Sequence, residues 1–214
     1  MDNVKQFSMQ IYDKYILPKL THWVCSHNDV RSQRQKVIPL ARGKVLEIGI
    51  GSGLNLPFYK ADNIDLLWGI DPSKQLLKIA EQTAADLPFN INFICQSGEE
   101  IPLANNSVDT IVVTYTLCTI PNVHKALNEM KRVLKPKGIL IFCEHGKAPD
   151  NNIAKWQNRL NPAWKSIAGG CNLNRNIPGL IKNSGFTIKH LDMVYMSNLK
   201  LISFNYQGLA VKGQ

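Results

Sequence analysis

The chain has no apolar run that approaches the ~18 residues of a membrane-spanning helix, which excludes a helical span. It has no Cys-x-x-Cys pair. Its five cysteines (Cys25, Cys95, Cys118, Cys143 and Cys171) are odd in number and widely spaced. That pattern argues against a disulfide framework and against a structural zinc centre, and no metal is expected. No internal repeat or low-complexity tract stands out. The opening stretch MDNVKQFSMQIYDKY lacks the charged and apolar regions of a secretion signal, and a cytoplasmic protein is the expectation.

What is present fits one globular unit. The chain has 214 residues, of which 44% are apolar, and a chain of that length buries roughly 70% of its unfolded surface. The net charge of +9 is uneven: residues 1–44 carry +5, residues 45–130 carry −6 and residues 131–214 carry +10. Basic flanks around an acidic centre suit an anionic substrate, peripheral contact with an anionic membrane, or nucleic acid. They equally suit a plain solvated surface.

Residues 4–40 read as helical. Phe7, Ile11 and Tyr15 recur every four residues, then Leu20, Trp23 and Val24, with breaks at Pro18 and at residues 27–29. Residues 1–40 are therefore assigned to a helical extension or lid, and residues 41–214 to the main domain. There, short apolar strands (45–48, 66–70, 91–95, 108–114 and 139–143) alternate with amphipathic helices (73–86 and 123–135). The run VDTIVVT is apolar enough to be buried on both faces. Lys135-Pro136-Lys137-Gly138 reads as a helix stop. Trp156, Leu160, Trp164 and Ile167 are helically spaced, residues 177–184 form a small helix, and residues 187–196 and 202–211 read as two late strands. The expected fold is α/β: a doubly wound, Rossmann-like, mostly parallel sheet with a C-terminal antiparallel strand pair.

One stretch points to a ligand. In VLEIGIGSGLN (residues 45–55) a strand runs straight into three alternate glycines. Such a turn brings backbone N–H groups against whatever binds at the carboxyl end of the strand. The spacing is GxGxG; Leu54 stands where a dinucleotide site has its third glycine, and Pro57 cuts short the helix that would cradle a pyrophosphate. A ligand without phosphate fits better, with a nicotinamide cofactor as the alternative. Asp71 ends the second strand, where a carboxylate can accept both hydroxyls of a ribose. Asp before Pro72 also suits a helix N-cap. Paired with the glycine turn, the ribose reading is preferred.

Taken together, VLEIGIGSG, the acidic residue ending the second strand, SGEEIPLANNSVDTIVVT and VLKPKGILIFCEH resemble class I S-adenosylmethionine-dependent methyltransferases acting on small molecules. The resemblance implies S-adenosyl-L-methionine as cofactor. Glu47, Gly49, Gly51 and Gly53 would surround its methionine part, Asp71 its ribose, and Ser97, Gly98 and Glu99 its adenine. Thr114 and Tyr115 would close over the sulfonium. TYTLCTIPN, FCEH and NPAWKSIAGGCNLNR further resemble the methyltransferase-like thiol S-methyltransferases. The animal members carry an apolar N-terminal anchor where this chain has a polar, basic segment.

A small-molecule acceptor is expected, with a thiol favoured over a quinone or phospholipid. A non-catalytic cofactor-binding protein is the other alternative. Nucleic acid is disfavoured: TYTLCTIP lacks the Asn/Asp-Pro-Pro-aromatic loop that holds a flipped base, and the basic residues are scattered. His145, after the fifth strand, is the candidate general base, with Glu144 as its orienting partner or a substrate contact. Tyr12, Tyr15, Cys118 and Arg175 are candidate substrate contacts. A monomer or homodimer is expected.

Overall fold

The computed structural model describes residues 28–213. Tyr12, Tyr15 and most of the expected N-terminal extension lie outside them. The described part of that extension is helix α1 (Asn28–Val37), followed by a 3-10 turn at Ile38–Leu40. It buries Val30, Gln33, Arg34 and Val37, so a buried cation and a buried amide stand between two valines.

The described residues form a seven-stranded sheet of order β3-β2-β1-β4-β5-β7-β6. Strands β1 (Gly43–Ile48), β2 (Ile64–Ile70), β3 (Ile91–Ile94), β4 (Val108–Thr114) and β5 (Leu134–His145) pair in parallel. Strand β7 (Phe204–Lys212) runs antiparallel to β5 and to the edge strand β6 (Phe186–Tyr195). The mostly parallel sheet with its late antiparallel pair is the fold the sequence pattern predicts.

Alternation in the central strands fills two cores. Leu46, Ile48, Ile111, Val113, Leu140 and Phe142 face one side; Val45, Val112, Ile141 and Cys143 face the other. Over the first side lies helix α3 (Val123–Val133), which buries Val123, Ala126, Leu127, Met130 and Val133 at helical spacing. Asn122 caps it by accepting the Lys125 N–H at 3.1 Å.

Three local readings need correction. Helix α2 (Lys74–Ala84) is capped not by Asp71 but by Ser73, whose hydroxyl accepts the Leu76 N–H at 3.3 Å. The link from β1 to β2 contains no α-helix, only 3-10 turns at Leu56–Phe58 and Ala61–Asn63; Pro57 at the start of the first fits a turn better than a longer helix. Strand β5 begins at Leu134, not Ile139. Its pairing jumps from Val108–Leu134 to Thr110–Ile139, so the Lys-Pro-Lys-Gly segment bulges out of the ladder, where proline's missing N–H costs nothing. Helices α4 (Asn151–Ile167) and α5 (Ile177–Asn183) lie where the spacing places them.

Candidate functional site

The strand order reverses between β1 and β4, and a cavity of about 370 Å³ opens at the carboxyl ends of β1, β2 and β4. This is the place where an open α/β sheet leaves room for a ligand. Of the residues assigned to cofactor binding, Gly49, Gly51, Asp71, Ser97, Gly98, Thr114 and Tyr115 line it.

The glycine turn is fixed from both sides. The N–H groups of Gly49 and Ile50 donate to the Ile70 carbonyl at 2.8 and 3.1 Å, which locks the end of β1 to β2. Gly49 has φ +70°, and a Cβ there would come within 2.2 Å of Thr116 Oγ1. Both the conformation and the space demand glycine. Gly51 N–H donates to Asp71 Oδ2 at 3.0 Å, and Ser73 N–H donates to Asp71 Oδ1 at 2.8 Å. Each carboxylate oxygen keeps a further acceptor site. Burial pushes the Asp71 carboxyl above its ordinary value, and these two donors oppose the rise.

Glu47, Gly53 and Glu99 are not among the residues lining this cavity. Gly53 borders a smaller neighbouring recess. Glu99 accepts the Asn122 N–H at 2.8 Å, at the start of α3. Glu47 lies beneath the turn, accepting from Tyr59 OH at 2.7 Å and from Asn55 Nδ2 at 2.8 Å. Burial raises its carboxyl to about 7, with the Tyr59 and Asn55 hydrogen bonds and the Arg34 charge opposing. A carboxyl raised in the folded state stabilises the fold most below its unfolded value, and the contribution fades as pH rises through the folded value. Urea unfolding between pH 5 and 8 is therefore expected to show stability falling, by roughly 3 kcal/mol for a carboxyl raised this far. Glu47→Gln flattens the profile in part. A remainder persists because burial also raises Glu144 to about 7.

Arg34 was not singled out in the sequence, yet it lines the cavity and joins its walls. Its Nη1 donates to Asn55 Oδ1 at 2.8 Å and to Thr114 Oγ1 at 3.1 Å. The guanidinium carbon stands 5.1 Å from the centre of the Tyr115 ring, a cation–π arrangement. Tyr115 itself has φ +53°, a left-handed conformation costing about 1–3 kcal/mol in a non-glycine residue. The one available signal was a basic residue at helical spacing between Val30 and Val37.

The expected catalytic residues do not line the cavity. Glu144 is fully buried and gathers three backbone donors: Oε1 accepts from Thr116 and Leu117 at 2.8 and 2.9 Å, and Oε2 from Cys118 at 3.2 Å. It positions the loop after β4, which supplies Thr116, Thr119 and Ile120 to the cavity wall. His145 is buried, with Nδ1 3.7 Å from Cys171 Sγ. Cys118 is buried too, and its thiol is raised well above its ordinary value, with the Cys171 thiol and burial as the main causes. Arg175 donates through Nη1 to the Leu117 carbonyl, binding the 170s segment to the same loop.

Comparison with known proteins shows the family. Residues 46–142 match the family model described as a methyltransferase domain. The chain is 32% identical to human thiol S-methyltransferase TMT1A over 81% of its length and 72% of the relative's. It is 35% identical to rat thiol S-methyltransferase TMT1B over 69% of its length, a match spanning 62% of that relative. It is also 31% identical to the ubiquinone/menaquinone biosynthesis C-methyltransferase UbiE of Rickettsia felis, over 66% of the chain and 60% of the relative. A solved SAM-dependent methyltransferase from Thermotoga maritima shares the fold with a TM-score of 0.69 at 17% identity, over 96% of this chain and 99% of that one. The chain belongs to the S-adenosylmethionine-dependent methyltransferases, and S-adenosyl-L-methionine is the cofactor that goes with that membership.

Proposed function

We propose that the protein moves a methyl group from S-adenosyl-L-methionine to a small-molecule thiol. The observation that carries the cofactor half is the hydrogen bond between Gly51 and Asp71 at the cavity wall, which joins a close-approach turn to a carboxylate. The residues present fit the cofactor. Asp71 has acceptor sites left for two ribose hydroxyls, and Ser97 and Gly98 border room for the adenine. Arg34 lines the cavity, and its guanidinium is suited to the cofactor's carboxylate. Thr114 and Tyr115 stand at the β4 end, where they would flank the reacting centre. Glu47, Gly53 and Glu99 support this shell from behind.

When bound, the cofactor supplies an electrophilic methyl carbon on a sulfonium. The protein's part is then to place the acceptor in line and keep water away. A thiol with an ordinary pKa near 8.5 is partly ionised at neutral pH, so placement alone serves it. An amine or phenol would need a base. His145 was the candidate for that role, but it is absent from the cavity wall. The thiol is also the acceptor in the names of the two TMT1 relatives.

Incubation with isotopically labelled cofactor and a panel of thiols, quinols and phospholipids tests the proposal. The expected product is a labelled methyl thioether, identified by mass. A methylated quinol in its place would favour the chemistry named for the UbiE relative.

Contact with an anionic membrane has one specific support. On α4, Trp156, Leu160 and Ile167 are 53%, 38% and 60% exposed, and Lys155, Arg159 and Lys165 lie on the same helix. No helix among the described residues is long and apolar enough to cross a membrane. Sedimentation with phosphatidylserine vesicles at low salt is expected to carry the protein down, and Trp156→Ser with Lys155→Ala to weaken this several-fold. Equal recovery in the supernatant with and without vesicles contradicts it.

A further inference from the structure

We propose that Cys118, His145 and Cys171 form a binding site for a thiophilic metal ion of the Zn²⁺ type, with a fourth position left to an exogenous ligand. Their ligand atoms all lie within 4.8 Å of one another. Cys171 Sγ and His145 Nδ1 are 3.7 Å apart. Zinc ligands at about 2.3 Å (sulfur) and about 2.0 Å (nitrogen) around a tetrahedral centre stand roughly 3.5 Å from each other. The three residues come from separate parts of the chain: the loop after β4, the last residue of β5, and the segment after α4.

Backbone contacts hold that meeting in place. Glu144 accepts the Cys118 N–H. The Cys118 carbonyl accepts both the backbone N–H of Asn172, at 2.8 Å, and its side-chain Nδ2, at 2.9 Å. Asn172 directly follows Cys171, so these bonds fix one cysteine's backbone against the other's. Such preorganisation is what a metal site requires.

His145 is 7% exposed, which keeps water away from the ring nitrogen that faces Cys171. Two sulfurs and one imidazole select zinc or a similarly soft ion over magnesium or calcium. Binding would release a proton from each thiol, and two thiolates would then balance a divalent charge. The Arg175 guanidinium donates to the carbonyl of Leu117, the residue before Cys118. The site adjoins the wall segments Thr119 and Gly169 of the main cavity, and it stands whether or not the acceptor is a thiol.

Metal content after incubation of the reduced protein with Zn²⁺, followed by gel filtration, tests this. One ion per chain is expected, and Co²⁺ in its place should give the ultraviolet sulfur-to-cobalt charge-transfer band. Both should disappear in Cys118→Ser with Cys171→Ser and persist in Cys95→Ser, whose thiol is exposed and elsewhere. The measurements on the unaltered chain need no variant to fold. Protein that retains neither ion, or that gives metal without a cobalt–thiolate band, overturns the proposal. So does a Cys118–Cys171 disulfide that forms readily in the presence of Zn²⁺.

Discussion

Asp71→Ala is expected to weaken S-adenosyl-L-methionine binding by about 100-fold or more while leaving the fold intact. A carboxylate accepting two hydroxyls makes charge-assisted hydrogen bonds worth about 1.5–3 kcal/mol each, and a 100-fold loss corresponds to about 2.7 kcal/mol. Part of the effect is indirect. The Gly51 and Ser73 N–H groups lose their acceptor, and the glycine turn loses its tie to the end of β2. The fold should survive because α2 is capped by Ser73 and not by Asp71. Calorimetric titration of the cofactor, with far-UV circular dichroism of the free protein, checks both halves. Unchanged affinity would remove Asp71 from the site.

Glu144→Ala is expected to cost about 4 kcal/mol of stability and to abolish methyl transfer. Three buried or half-buried backbone donors, on Thr116, Leu117 and Cys118, are left without an acceptor. Each such orphan costs about 1–3 kcal/mol. The loop they belong to carries part of the cavity wall, so a change made behind the wall is felt at the reacting centre. Glu144→Gln keeps one acceptor oxygen but turns a donor toward a donor, and should lie between the wild type and alanine. Urea unfolding with a parallel activity assay measures this. If Glu144→Ala unfolds like the wild type but is inactive, Glu144 contacts the substrate directly and the positioning role fails.

These two residues differ in how well the sequence reveals them. Asp71 stands at a position that strand counting alone finds, at the end of β2 and 22 residues after the first glycine of the turn. Glu144 could be placed at the end of β5, but not its partners. Its acceptors face N–H groups 26 to 28 residues earlier in the chain, in a loop with no hydrophobic period to read. Arg34 is a sharper case: it meets Thr114 across 80 residues, and a basic residue on a helix face looks like any solvated one until the sheet is assembled. The central strands β1, β4 and β5 were legible because their carboxyl halves are buried on both faces, and burial writes continuous apolar runs. The start of β5 was not, because a bulge holding Lys-Pro-Lys-Gly has the composition of a turn. The cysteine and histidine positions were visible one at a time. Their convergence depends on the chain after α4 folding back over the β4 loop, which no local pattern encodes.

The account turns on one arrangement, a glycine turn and Asp71 sharing a nucleoside. A crystal structure of the protein grown with S-adenosylhomocysteine, the demethylated cofactor, tests it most directly. The ribose hydroxyls are predicted on the Asp71 carboxylate, the adenine beside Ser97 and Gly98, and the amino-acid end along residues 49–51 toward Arg34. Nucleoside density elsewhere on the protein, or a cavity at the ends of β1 and β4 that stays empty at saturating ligand, would contradict it.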